Sequence, residues 1–207
     1  MIIKKASYKA MKYACLKFHY AKRLPAQPMV GYSCFNNKNE WCGVVIFNNG
    51  IGAIEKPFDL PKGQVKELVR VALNGKQKTT TQVVARCVKI FKKENKLVKL
   101  LVSYADSDHK HKGTIYKAMN WIYISSHKTV DEWLHPITKK SVHSRSHSNT
   151  GVSKQFGVLK KVYKTSELIR IKKGEKHKYI YPLTKELKNK CLELKKPYPK
   201  MTIQEIE

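Results

Sequence analysis

The stretch SYADSDHKHKGTIYKAMNW (103–121) sets two aspartates, two histidines, two tyrosines and three lysines between apolar runs. All of these can move protons or hold charge. Asp106 closes the apolar run KLLVSYA at its carboxyl edge, where open α/β sheets bind their ligands. A carboxylate there can accept a proton from an amine, orient another group or help to hold a metal. Aspartate at such a position is also a common turn or cap residue, and Asp108 competes for either role. Ser107–Lys112 reads as solvated linker, in which His109 and His111 need no chemistry.

His19 and Tyr20 close the segment CLKFHY, just before a proline-rich turn. A histidine titrates near neutral pH and can act as a base or a metal ligand; at a helix C-terminus it can equally interact with the macrodipole. Tyr20 can stack on a nucleobase or simply pack. Arg70 interrupts the run QVKELVRVAL (64–73). Arginine is rarely buried without a partner, so a cation here suits a phosphate or a carbonyl oxygen. In a regular strand Glu67 and Arg70 point to opposite faces, which removes the nearest carboxylate as that partner.

These groups need a scaffold. Ser7–Phe18 reads as a helix, with Tyr8, Met11, Cys15 and Phe18 at helical spacing. WCGVVIF (41–47) is a buried strand, and NNGIGAIEKPFDLPKG is a long loop. QVKELVRVAL alternates as a strand. After it, QVVARCVKIFKK carries Val84, Cys87, Val88 and Phe91 on one helical side. KLVKLLVSYA is the next strand, Gly113–Met119 is helical, and NWIYIS is a strand again. A hairpin is expected around Lys173-Gly174 in ELIRIKKGEKHKYIY, followed by a Lys-rich helix over 184–195 and a loose end. This order predicts an α/β (α+β) fold, one mixed sheet covered by helices. The turn NGKQKTTT, at the start of a helix, makes an anion site of Asn74, Gly75, Lys76, Lys78 and Thr79.

Composition narrows the partner. The chain has 42 Lys and Arg against 15 Asp and Glu, a formal net charge of +27. Such an excess calls for an anionic partner, most commonly nucleic acid. No apolar run reaches the ~20 residues of a membrane span, and no signal-peptide segment opens the sequence, so a cytoplasmic protein is expected. The five cysteines include no C-x-x-C pair and read as small buried thiols. Residues 126–160 are Ser-, His- and Lys-rich and read as a flexible basic loop region between a core (1–125) and a hairpin-and-helix end (161–207). His127, His135, His143 and His147 lack a cysteine or carboxylate at zinc-ligand spacing. With Lys139, Lys140, Arg145 and Lys154 they form a basic segment suited to DNA phosphates.

Four ordered blocks carry a family resemblance: CLKFHYAKRLP (15–25), EWCGVVIF (40–47), ELVRVALNGKQ (67–77) and SYADSDHKHKGTIYKAMNWIYI (103–124). Together they resemble the Mom family, phage proteins that modify adenine in DNA and are related to the GNAT-type N-acetyltransferase fold. The resemblance implies a mixed sheet splayed between its central strands, with acetyl-CoA or a related CoA thioester in the gap. It places the donor pyrophosphate on NGKQKTTT, although the usual Q/R-x-x-G-x-G/A fingerprint is reduced here to Gly75 alone. It implies that Tyr116 protonates the departing thiolate, as a phenol keeps its proton until such a base forms beside it. The family product is an N6-carbamoylmethyl adenine that protects phage DNA against restriction. The family's dependence on iron would make His19 and Asp106 its ligands.

An adenine N6 inside a duplex is hydrogen-bonded and stacked, so a flipped base or single strand is expected, held by Tyr20, Tyr104 or Trp121. Two rivals stand beside this reading. A non-catalytic nucleic-acid-binding protein would leave the four blocks and Arg70 unexplained. An acetyltransferase for a protein or aminoacyl amine would leave the charge unexplained. Oligomeric state, a dimer included, stays open.

Overall fold

The computed structural model describes residues 1–50, 52, 54–109 and 111–199; Ile51 and Ala53 of the long loop, Lys110 of the linker and the end from residue 200 lie outside the described residues. In chain order the strands are β1 (Ile2–Lys5), β2 (Met29–Phe35), β3 (Trp41–Asn48), β4 (Val65–Leu73), β5 (Leu100–Asp106) and β6 (Ile122–Lys128). Short strands follow: β7 (Glu132–Leu134), β8 (Ser141–Val142), β9 (His147–Ser148), β10 (Val152–Gln155), β11 (Val158–Lys161), β12 (Tyr163–Lys164) and β13 (Ile169–Ile171). The long β14 (Glu175–Pro182) ends the series. Helices are α1 (Tyr8–Lys17), α2 (Thr80–Glu94), α3 (Thr114–Ala118) and α4 (Lys185–Glu193). The chain divides into two units, one of Met1–Ser126 with the chain from His177 onward, the other of His127–Lys176.

In the larger unit a mixed sheet of seven strands runs β1-β2-β3-β4-β5-β14-β6. Its centre is apolar on both faces because helices cover both. On β3, Val45 and Phe47 face α2, where Phe47 stacks on Phe91 at 4.2 Å; Val44 and Ile46 meet Met11, Ala14 and Cys15 of α1. Leu187 and Cys191 of α4 cover Val65, Leu100, Val102 and Ile180. Ser7 caps α1 and Thr79 caps α2, each accepting an amide hydrogen bond from three residues on. The expected helices and central strands are all present, and all five cysteines are buried free thiols.

Two irregularities shape the sheet's open end. Ile46 pairs with Arg70 but Phe47 pairs with Leu68, so Val69 is an extra residue on β4, a β-bulge. The bulge breaks the strict alternation expected of this strand. Leu68 and Val71 point toward α2, while Val69 and Ala72 join the α1 face. Arg70 thereby comes within electrostatic reach of Glu67 instead of turning away from it. The second irregularity is a parting of strands. Parallel β4 and β5 pair only from Val65–Leu100 to Glu67–Val102, although β4 runs on to Leu73 and β5 to Asp106. The sheet is splayed there, as the resemblance implied.

The smaller unit corrects two expectations. The segment from 126 to 160 is no simple loop; it contributes β7 to β11. The hairpin expected around Lys173-Gly174 does not form, because β13 pairs instead with β7, in a sheet ordered β13-β7-β8, while β14 joins the large sheet. Polar contacts accompany this pairing: Asp131 binds the Arg170 guanidinium and the Lys173 amide, and Glu132 pairs with Lys173 at 2.8 Å. The unit therefore runs on to Lys176, beyond residue 160.

Candidate active site

The point where β4 and β5 part is held by one serine. Ser103 is 1% exposed, and its Oγ donates to the Leu68 carbonyl at 2.7 Å. The Tyr116 hydroxyl lies 2.6 Å from the same Oγ. Since a serine has one hydrogen and Leu68 takes it, Tyr116 is the donor in that second bond. α3 delivers Tyr116 to this point, starting from Gly113, whose φ of 78° and close approach to Tyr179 leave no room for a side chain. Burial pushes the Tyr116 phenol up to about 12, so it stays protonated at neutral pH.

Around this pair the chain gathers its other candidate residues. The Tyr20 ring lies 4.2 Å from His19 and 4.0 Å from His109, with His111 at 5.4 Å. Tyr20 is within electrostatic reach of Asp106, Arg70 and Arg23, and of Tyr116. His19, Tyr20, Arg70, Asp106 and Tyr116 thus converge from α1's end, β4, β5's end and α3. The linker reading of Ser107–Lys112 is corrected in part, since His109 and His111 lie against Tyr20. Asp106 does make the plain turn, accepting the Asp108 amide at 3.1 Å, and it also approaches Tyr20 and His111.

His19 is buried, and its Nδ1 accepts the Ala21 amide at 3.1 Å. Burial first, then the charges of Arg70, His111, His109 and Lys22, push its pKa down to about 4. At neutral pH the ring is uncharged with its proton on Nε2, so it offers a donor. Arg70 is held by its own bulge: Nη1 donates to the Val69 carbonyl at 2.8 Å. Its Nε is buried with no hydrogen-bond partner. A buried donor left open beside Tyr20 marks the place for an acceptor brought by a ligand.

A cleft of about 560 Å³ borders the N-terminus of α2, lined by Asn36, Lys38, Lys76, Lys78, Thr79 and Arg86 among others. Three of the five residues expected to bind the donor line it directly. Lys76 is paired there with Glu40 at 3.0 Å. Asn74 instead holds the turn together, donating to the Trp41 carbonyl and accepting the Lys76 amide, while Gly75 supplies its φ of 88°. In the smaller unit Lys139, Lys140, Arg145 and Lys154 are all exposed.

The profile of the Mom protein family matches residues 1–200. The chain belongs to the Mom family. A comparison with curated proteins finds no match. Among solved structures, a Bacillus subtilis acetyltransferase in complex with CoA is similar at 11% identity and a TM-score of 0.45, over 88% of this chain and 98% of that one. The spermidine/spermine N-acetyltransferase of Vibrio cholerae is similar at 7% identity and a TM-score of 0.48, over 91% and 95%. The ribosomal-protein-alanine N-acetyltransferase of Brucella melitensis is similar at 10% identity and 0.48, over 88% and 100%.

For this Mom-family site the iron expectation fails on its donor set. Among the described residues no group of three or more His, Cys, Asp or Glu side chains could hold a metal. His19 spends Nδ1 on a backbone amide and faces the Arg70 cation. Among the described residues no helix is long and apolar enough to cross a membrane. Trp121 is also corrected as a base-holding residue: it is 0% exposed, packed between Tyr116 and Tyr181. Sequence reasoning passed over Ser103, although a lone serine in the apolar run LLVSYA was a usable signal. Arg86 and Asn36 had none, being ordinary surface residues until the fold brings them to one cleft.

Proposed function

We propose that the chain is a transferase that modifies the N6 amine of adenine in DNA, using a CoA-thioester-type donor, and that it shields phage DNA from restriction. Family membership sets the class, and the observation that carries the chemistry is the convergence of Arg70, Asp106 and Tyr116 at the parting of β4 and β5. The cleft at α2 fits an anionic donor, since Lys76, Lys78 and Arg86 line it beside helix amides. A thioester supplies an electrophilic carbon and a thiolate leaving group. Arg70 Nε is placed to hold a carbonyl oxygen as negative charge builds on it. Asp106 is the carboxylate that can take the amine proton, and Tyr116 keeps a proton for the leaving thiolate. Tyr20, 40% exposed within its cluster of histidine rings, is the aromatic residue assigned to an extruded base.

Lys139, Lys140, Arg145 and Lys154 neutralise phosphates in this reading, so binding weakens steeply with salt. The test is nucleoside mass spectrometry on DNA from cells expressing the protein, beside an Asp106→Ala control. A modified deoxyadenosine that disappears in the control supports the proposal. Unmodified adenine with folded protein overturns it.

A further inference from the structure

A two-residue loop joins β10 to β11, with Phe156 at φ 52° and Gly157 at φ 84°. Positive φ at both central positions is the signature of a type I′ turn, whose first position favours Asn, Asp or Gly. A bulky aromatic residue is a rare occupant of that backbone region. Phe156 gains no internal packing in return, for it is 92% exposed. Neither local preference nor the core explains this side chain, which leaves contact with something outside the chain.

The rest of the hairpin says what that is. Val152 stands opposite Lys161, and Lys154 opposite Leu159, so these four share one face. All four are exposed, an open ribbon face of alternating aliphatic and cationic side chains. The hairpin VSKQFGVLKK carries Lys154, Lys160 and Lys161 and no acidic residue, in a chain of net charge +27. A two-stranded ribbon has the width of a DNA groove, lysines on its strands match phosphates, and apolar wedges such as Phe unstack base steps.

We propose that the β10–β11 hairpin enters a groove of duplex DNA and that Phe156 is a wedge inserted between base pairs, unstacking the duplex so that a base can leave it. This rests on the reading of DNA as the substrate.

The test uses the full chain with a duplex oligonucleotide carrying 2-aminopurine, whose fluorescence rises on unstacking, and anisotropy to follow binding. Wild type should raise the fluorescence several-fold. Phe156→Ala, and Phe156→Asn, which suits the positive φ, should abolish the rise while weakening binding by no more than about tenfold. Modification of duplex DNA should fall with it, and a mismatch that leaves the adenine unpaired should restore it. If the variants raise fluorescence as wild type does, while binding and modification persist, the wedge is refuted and the DNA reading survives. If the variants turn a dimer into a monomer with unstacking unchanged, the tip is a contact between copies. If no form binds or modifies DNA, both inferences fall together.

Discussion

The Tyr116 hydroxyl donates to Ser103 Oγ at 2.6 Å, and Ser103 donates onward to the Leu68 carbonyl at 2.7 Å, so one serine ties a helix phenol to the strand from which β5 departs. The bond fixes the direction of the phenol, and burial keeps it protonated. Ser103→Ala leaves the buried Tyr116 hydroxyl and Leu68 carbonyl without that partner and should cost about 1–3 kcal/mol in stability. Transfer should fall roughly tenfold in single-turnover assays, and Tyr116→Phe should lose ~10²–10⁴-fold. Wild-type turnover in Ser103→Ala would show that the serine merely fills space.

His19 makes stability depend on pH. Its unfolded ring takes a proton near 6.5, whereas the folded ring resists until about 4. Stability from this group is full above 6.5 and declines as pH falls to 4, by about 3 kcal/mol in all. Denaturant melts across that window should show a steeper decline for wild type than for His19→Gln. Parallel profiles would count against a buried neutral histidine.

Arg70 is the second cause of the His19 shift, after burial. Replacing it with Met should raise the His19 pKa from about 4 without restoring 6.5, as followed by NMR of the imidazole. Arg70→Lys should leave it low, yet a lysine lacks the planar fork that holds the Val69 carbonyl and presents Nε. Activity should be lost in both.

Tyr20 and Trp121 should separate base binding from packing. Trp121→Ala removes a wholly buried ring and should cost ~3–5 kcal/mol, seen as a lowered midpoint. Tyr20→Ala should shift stability by about 1 kcal/mol at most and still lower DNA modification roughly tenfold.

Lys78 and Arg86 line the cleft at α2. Alanine at either should raise the KM for a CoA-type donor with kcat unchanged, since both line the donor cleft and neither belongs to the Tyr116–Ser103–Leu68 hydrogen-bond chain. A fall in kcat alone would move the donor away from this cleft.

Much of this was legible in the sequence because it depends on neighbours in the chain. Helical spacing in α1 and α2, the apolar runs of β3 and β5, and the serine and threonine caps are local signals. The four blocks located the convergent residues as well. What local pattern cannot convey is an interruption of register. Strict alternation put Glu67 and Arg70 on opposite faces, and the bulge at Val69, fixed by pairing with β3, brought them together. The hairpin signal at Lys173-Gly174 was equally local, and it lost to pairing of β13 with β7, over thirty residues earlier in the chain.

By itself the sequence determined the helices and central strands of the larger unit, the excess of positive charge and the candidate side chains. Tertiary structure alone decided that Ser103 bridges Tyr116 to β4, that Trp121 is core rather than a base platform, and that His109 and His111 flank Tyr20. It also placed β14 between β5 and β6. Each of these is a contact between segments distant in sequence, set by which surfaces must be buried together, and no periodicity within one segment encodes it.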